Sequence, residues 1–341
     1  MNKLLKIVAI AAALLGSISC NKNNTPDVKE RYPLVVLINE GGYQTPMDMI
    51  GYNEDKLELE GTSMANSNEM PLRGEFHGIV MDAAGQGYPL MSNYDAYAQV
   101  DMSRFKIVEN NILTNLAQPK AMTIAGYYLY VLNEGKADSN GADSAAYVSV
   151  YSSIHQYQLV GKVNIKKGGT AIYVDDDYIY IAGKDGIDLY NHQTKALDIH
   201  VETPAEPKQF LVKDNRSIMV SCPGYGICLF DLNTKTIMQT MEVPVGANGV
   251  MYVGKDPNDV ITFTDTEVYI TNVSANSSLK IYEGTSITGV GHSPNTFYTY
   301  ISDSNGERQL VFNEKREQIA SFSAPKGSYS YLFTNRVIYN E

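Results

Sequence analysis

The sequence predicts an all-β chain built as a ring of seven four-stranded antiparallel sheets, and three observations carry that expectation. After the N-terminal segment no stretch of ten or more residues keeps a 3.6-residue apolar period, while short runs rich in Tyr, Val and Ile recur to the end. One strand phrase repeats. "LVVLIN", "GYPLMS", "YLYVLN", "YIYIAG", "SIMVS", "VITFT" and "FYTYIS" end at Asn39, Ser92, Asn133, Gly183, Ser221, Thr264 and Ser302, at intervals of 38 to 53 residues. Each of the six later copies has one strand before the phrase and two after it. Four antiparallel strands every forty-odd residues is the pattern of a blade, so the expected fold class is a seven-bladed β-propeller of four-stranded antiparallel blades.

The elements follow in order. Residues 1–19 place Lys3 and Lys6 ahead of an apolar run from Ile7 to Leu15 and end in small residues, the layout of a secretory signal too short to span a bilayer. Cys20, after Gly16, Ser17, Ile18 and Ser19, resembles the cysteine of a bacterial lipobox and is then the lipid-modified N-terminus. Ordinary cleavage between Ala13 and Ser19, leaving Cys20 free, is the alternative. Residues 20–31, with Pro26 and no apolar period, read as a flexible tether, and 32–341 as the propeller.

First strands are read at "HGIVMD", "PKAMTI", "TAIYVD", "PKQFLVK", "NGVMYVG" and "TGVGHS", third strands at segments such as "GIDLYN" and "GICLFDL", and fourth strands at segments such as "ALDIHVE" and "TIMQTMEV". Between third and fourth strands, "NHQTK", "DLNTKT" and "NEKRE" carry the Asn, Asp and Lys of tight hairpins. The first copy has no strand before "LVVLIN", whereas the C-terminal "SYSYLFTNRVIYNE" supplies a strand or two with no third or fourth. Joining both ends in one blade leaves no open edge. The sequence leaves open whether "RVIYN" enters that blade or caps it. Two sandwich domains are the competing architecture, since they too show short strands at regular spacing.

Lys and Arg number 27 against 38 Asp and Glu, a net charge of −11, and signal removal takes Lys3 and Lys6 away as well. With no compensating basic block, a nucleic-acid surface is excluded. An apolar content of 44% over this length can bury a sizeable core. Of the three cysteines, Cys222 and Cys228 flank the Pro-Gly turn of "SCPGYGIC". They are either a cross-strand disulfide in an oxidising compartment or two buried thiols.

In a propeller the turn after each second strand emerges on the face that carries the blade connections, so the residues after the seven strand ends form a ring. Its carboxylates are Glu40, Asp95, Glu134, Asp185, Asp265 and Asp303. Its aromatic rings are Tyr43, Tyr94, Tyr97 and Tyr225, and Asn93 and Lys184 complete the candidate ligand-binding set. Hairpins themselves demand Asp, Asn and Gly, so the tyrosines, which turns do not need, are the more telling members. The phrase Asn-Glu-Gly is written twice, and Asn39 and Asn133 are read as closing their turns while Glu40 and Glu134 face the ring. Long connections at 61–76 and 134–146 should lie on the same face, as binding loops or as plain surface loops. Within the second, "DSNGAD" begins like a calcium loop but has Ser149 where the twelfth-position acid belongs, so no metal site is assigned.

Catalytic patterns are absent. His77, His155, His192, His200 and His292 never take a zinc-like spacing, and there is no helix for a nucleophile elbow, no phosphate loop and no dinucleotide fingerprint. The chain is therefore expected not to be an enzyme and to carry no cofactor. His77 and His292 read as structural residues of first strands, and Lys120 and Lys208 occupy equivalent places in two blades, facing an anionic ligand or pairing with the acidic rim.

"VLINEGG" at 36–42, followed by "GYPLMSNYDAYAQVDMSRFKIVEN" and "QPKAMTIAGYYLYVLNEG", resembles in order and spacing the YncE-like seven-bladed propellers, in particular secreted lipoproteins of Bacteroidetes that begin with an LNEG phrase. The chain has no tryptophan, unlike WD-repeat and quinoprotein propellers, and its later blades lack the Gly-x-x-Pro phrases many relatives repeat. The resemblance implies an outer-membrane lipoprotein, at the cell surface or facing the periplasm, and Asn21 after Cys20 points the same way. It further implies capture of a nutrient, cobalamin or a related corrinoid, on the loop face for delivery to a TonB-dependent transporter. A propeller that binds protein or glycan is the alternative, and a lactonase- or lyase-like enzyme the third reading.

Overall fold

The computed structural model describes residues 28–42, 44–68, 72–82, 85–91, 96–108, 113, 116–136, 145–153, 157–246, 252–253 and 256–339. They fall into two compact units: 33–334, and the paired strand ends 28–32 with 335–339.

The larger unit is a seven-bladed β-propeller of four-stranded antiparallel blades. Blade 1 runs from its inner to its outer strand as β29 (Tyr329–Tyr339), β1 (Val28–Asn39), β2 (Asp48–Asn53) and β3 (Glu58–Ser63). Blade 2 is β4 (Phe76–Met81), β5 (Gln86–Met91), β7 (Val100–Asp101) and β8 (Lys106–Ile107), with β6 (Ala96–Tyr97) also on β5. Blade 3 is β9 (Pro119–Ala125), β10 (Tyr128–Asn133), β11 (Ala146–Ser152) and β12 (Gln158–Ile165). Blade 4 is β13 (Ala171–Val174), β14 (Tyr178–Gly183), β15 (Gly186–Asn191) and β16 (Leu197–Glu202). Blade 5 is β17 (Gln209–Val212), β18 (Ser217–Cys222), β19 (Gly226–Asp231) and β20 (Thr236–Glu242). Blade 6 is β21 (Tyr252–Val253), β22 (Asp259–Phe263), β23 (Glu267–Asn272) and β24 (Ser277–Glu283). Blade 7 is β25 (Gly289–His292), β26 (Thr299–Asp303), β27 (Arg308–Phe312) and β28 (Gln318–Ser323).

Burial explains which strands the sequence displays most clearly. All six residues of β18 are buried and five of the six in β10, because neighbouring blades cover both faces. Such strands read as unbroken apolar runs. Outer strands alternate with solvent instead, as β16 does, and leave Leu59, Leu159, Leu197, Met238 and Leu279 exposed. The turns from third to fourth strand share one conformation. Each ends on a non-glycine residue with φ between 48° and 68°: Leu57, Phe105 and Tyr157 in the first three blades, then Lys195, Lys235, Asn276 and Arg316. Asn53, Asn191 and Asp231 open three of these turns, each with a side-chain oxygen accepting backbone N–H groups two and three residues on.

The two chain ends close the ring in one blade, as expected. Among the described residues the C-terminal phrase is a single strand, "RVIY" continuing β29 into the smaller unit. Seven separate sheets exclude the two-sandwich alternative. Two expectations are corrected. "YAQVD" is divided between β6 and β7. The long connection at 61–76 begins inside β3 and then forms a helical turn, α1 (Met64–Ser67), in a chain expected to have no helix. Ser63 caps it by accepting the Asn66 N–H at 3.3 Å, Asp48 Oδ1 accepts the Ala65 N–H at 2.9 Å, and Met64 is buried beneath it. Four residues are too few for a helical period to show.

Blades are latched together on the face opposite the candidate ring. A tyrosine stands three residues before the end of the second strand in four blades: Tyr88, Tyr130, Tyr180 and Tyr300. Tyr88 donates to Asp82 Oδ2 at 2.5 Å, and Tyr157 of the next blade reaches the same oxygen at 3.0 Å. Tyr180 donates to Asp175 Oδ2 at 2.5 Å, and Lys235 of the next blade donates to both at 3.2 and 2.5 Å. Tyr300 donates to Glu54 Oε1 at 2.8 Å. Tyr130 instead meets the His192 ring edge-on, 5.9 Å between centroids.

Candidate functional site

At the mouth of the central channel, on the face of the second-strand exits, blades 6, 7 and 1 enclose a cavity of about 400 Å³. Blade 1 contributes Glu40 and the start of β29. Asn39 ends β1, and its Oδ1 accepts the Gly41 N–H at 3.1 Å while its Nδ2 donates to the Tyr329 hydroxyl at 3.1 Å. These bonds turn the chain so that the Glu40 N–H meets the Ser328 carbonyl at 3.0 Å and its carboxyl lies over β29, where Ser330 Oγ donates to Oε1 at 2.6 Å. Burial raises the Glu40 carboxyl above the ordinary glutamate value, and the Ser330 hydrogen bond only partly offsets it.

Blade 7 contributes Ser286 to Gly289, the approach to β25, and blade 6 contributes Thr264 and Asp265, the exit from β22. Gly289 permits close contact between blades 7 and 1, since a Cβ there would lie 2.0 Å from the Tyr329 carbonyl oxygen. Phe263, Ile287 and Tyr329 form the apolar floor. Thr288 Oγ1 donates to the Gly327 carbonyl at 3.1 Å, and Ser286 Oγ to Asn305 Oδ1 at 3.0 Å. The Asp265 carbonyl accepts the Ile287 N–H at 2.7 Å, while its carboxylate is exposed and makes no hydrogen bond among the described residues. No Lys, Arg or His is among the described residues that line the cavity.

The structure therefore brings Glu40 and Asp265 to one place and sends the other described candidates elsewhere. Both carboxylate oxygens of Glu134 accept the Gly168 N–H, at 3.0 and 3.1 Å, tying blade 3 to the connection into blade 4. Asp303 is buried at the end of β26 and accepts from the Thr285 N–H at 2.9 Å, the Ser286 N–H at 3.0 Å and the Tyr282 hydroxyl at 2.7 Å. Burial pushes its carboxyl up, but these donors outweigh burial and hold it at about 2. Asp303 thus shapes the cavity wall from behind. Lys184 and Asp185 form the exposed tip of the β14–β15 hairpin and do not line the cavity. Tyr225 is half-buried and packs on a core cluster that includes Tyr180 and Phe230. Tyr43, Asn93, Tyr94 and Asp95 lie outside the described residues, as do Cys20, the segment 138–143 and the side chain of Tyr97.

The remaining candidates are structural in their contacts. Asn133 Oδ1 accepts the Ala117 N–H at 3.0 Å and its Nδ2 donates to the Val131 carbonyl at 2.9 Å, so unlike Asn39 it fastens the approach to β9 and not the turn that follows it. Cys222 and Cys228 are buried thiols with sulfurs 3.8 Å apart. Lys208 pairs with Glu206, and His77 lies 3.7 Å from Glu75. His292, at the far end of β25, meets Thr299 Oγ1 at 3.2 Å, and burial holds its imidazole down at about 4. Among the described residues no group of three or more His, Cys, Asp or Glu could hold a metal ion, and no helix is long and apolar enough to cross a membrane. Sequence reasoning missed Ser286, Thr288, Ser328 and Ser330. Their one signal is the spacing Ser-x-Thr and Ser-x-Ser at the entrance to two inner strands.

No family profile and no curated protein matches the chain by sequence. Solved structures do match by shape. A functionally unknown protein from Desulfotomaculum acetoxidans superposes with a TM-score of 0.62 at 13% identity, over 87% of this chain and 98% of that one. A periplasmic gluconolactonase from Pseudomonas aeruginosa gives 0.66 at 13% identity, over 88% and 99%. A dihydro-heme d1 dehydrogenase, NirN, gives 0.59 at 14% identity, over 88% and 74%. Likeness at such low identity across these proteins speaks for architecture alone: it supports the seven-bladed β-propeller fold of this chain.

Proposed function

We propose that the protein is a non-catalytic binding protein whose channel mouth holds a polar ligand. The observation that carries this reading is the cavity of about 400 Å³ between blades 6, 7 and 1, where hydroxyls and two carboxyls stand over an apolar floor. A concave lining in which polar side chains outnumber apolar ones suits a ligand that is itself polar. Its size suits one sugar-sized group, which favours the interaction reading, a propeller that binds a glycan or a glycosylated partner. Among the described lining residues the only side chains suited to general acid-base chemistry are the carboxyls of Glu40 and Asp265.

Capture of a corrinoid for a TonB-dependent receptor is the second reading. It is supported by the resemblance of the repeated strand phrases, and the mouth would seat one amide-bearing arm of so large a ligand. The same resemblance and the signal ending at Cys20 support a lipid-anchored protein of the outer membrane. Differential scanning fluorimetry of the purified protein with neutral oligosaccharides, corrinoids and a sugar lactone tests the proposal, because a ligand that binds the folded state raises its melting temperature as RT ln(1 + [L]/Kd). A rise with any panel member, without its conversion, supports binding. The lactone is included because one structural neighbour is a gluconolactonase. Its hydrolysis by this protein would overturn the non-catalytic reading.

A further inference from the structure

The mouth also restricts the charge its ligand can bear, an inference that rests on the binding reading above. Its two acidic side chains, Glu40 on blade 1 and Asp265 on blade 6, are both carboxyls, and no basic side chain among the described lining residues balances them. The hydroxyls add to this one-sidedness. Ser286 and Thr288 give their protons to Asn305 and Gly327, and Ser330 gives its proton to Glu40, so these three hydroxyls keep no proton to offer an incoming anion. Ser330 engages only Oε1 of Glu40, which leaves Oε2, like the Asp265 carboxylate, open to a donor. An anion entering here would shed its hydration and face two carboxyls, with no positive charge among the described lining residues and only neutral hydroxyls such as Thr264 and Ser328 to donate to it. The site calls for a ligand that supplies several O–H donors with no negative charge.

We infer that the channel mouth binds the uncharged, hydroxyl-rich end of a glycan and rejects uronic acids and phosphorylated sugars. Isothermal titration of the purified protein with neutral hexose oligosaccharides, their uronic-acid counterparts and amine-bearing glucosamine oligomers tests it, alongside a cobalamin titration. Neutral glycans should bind and the acidic ones should not. Asp265→Ala, at an exposed position, should weaken neutral binding about tenfold or more by removing a charged acceptor, with the melting temperature unchanged. Acidic glycans binding as well as neutral ones, or glucosamine oligomers binding more tightly, would overturn the inference and leave the binding site standing. Cobalamin binding that is lost in Asp265→Ala, with no glycan bound, would also overturn it and leave the site in place. Silence from every ligand would remove both the inference and the function proposed above.

Discussion

The Glu54 carboxylate and the Tyr300 hydroxyl, 246 positions apart in the chain, meet in a buried hydrogen bond of 2.8 Å across the seam between blades 1 and 7. Glu54 leads out of β2, and it also accepts from Ser293 Oγ at 2.9 Å and Thr296 Oγ1 at 2.6 Å, the turn between β25 and β26. Three hydroxyl donors on one buried carboxylate hold the first blade against the last.

Tyr300→Phe removes one of those donors and keeps the ring that packs edge-on to Tyr52 at 5.9 Å. Leaving a buried charged acceptor short of a donor should cost about 1–3 kcal/mol. Urea denaturation should show the midpoint falling with no change in slope. An unchanged midpoint would mean that Ser293 and Thr296 suffice for Glu54.

Protonation should weaken the fold first through His292. Its folded value of about 4 lies below that of an unfolded histidine, so between pH 6.5 and 4 the unfolded chain binds more protons and stability falls as pH falls. The loss is about 3 kcal/mol at most. His292→Leu should flatten the stability profile across that window, read by chemical denaturation at successive pH values. A wild-type profile already flat there would show that His292 is charged in the fold.

Asp303 acts lower on the scale. Held at about 2 in the fold, against about 3.9 unfolded, it contributes stability that is complete above pH 4 and is lost as pH falls toward 2. Asp303→Asn should cost about 2 kcal/mol at neutral pH and nothing near pH 2. Because its carboxylate holds Thr285 and Ser286, the substitution should also speed amide exchange at those two positions. Unaltered exchange would separate Asp303 from the cavity wall.

Cys222 and Cys228 sit diagonally across the β18–β19 hairpin, where Cys222 faces Gly226 and Cys228 faces Val220. The right-handed twist of a hairpin draws this diagonal together. Treating the protein, opened briefly in urea, with oxidised glutathione should move two electrons and two protons to the oxidant and lower the mass by about 2 Da, the S–S bond replacing two S–H bonds. Mixed glutathione adducts on both thiols, in place of an internal bond, would rule the pairing out.

The ring of blades was legible because β10, β14 and β18 are covered on both sides, so their middle residues are apolar and the phrase repeats. Helix α1 was not legible: a single turn held by Ser63 and Asp48 has no period to read. The candidate site was half legible. Glu40 and Asp265 follow from the rule that second-strand exits gather on one face, yet the same rule names Asp303, whose strand phase points it inward to backbone donors. Position relative to the strand end sets these fates, since Asp265 lies two residues beyond β22 while Asp303 is the last residue of β26. The serines of the mouth were invisible because serine is ordinary in any connection, and only the closing of blade 1 puts Ser328 and Ser330 beside Glu40.

That closing pairs β1 with a strand made last. Asn39 and its partner Tyr329 are 290 positions apart, a gap that takes roughly 15–60 s to synthesise at about 5–20 residues per second. Throughout that interval the first blade has a bare inner edge, a template for any passing strand. The protein is thus most vulnerable to mispairing before its final eleven-residue strand exists, and whatever shelters the nascent chain must hold on until that strand has arrived.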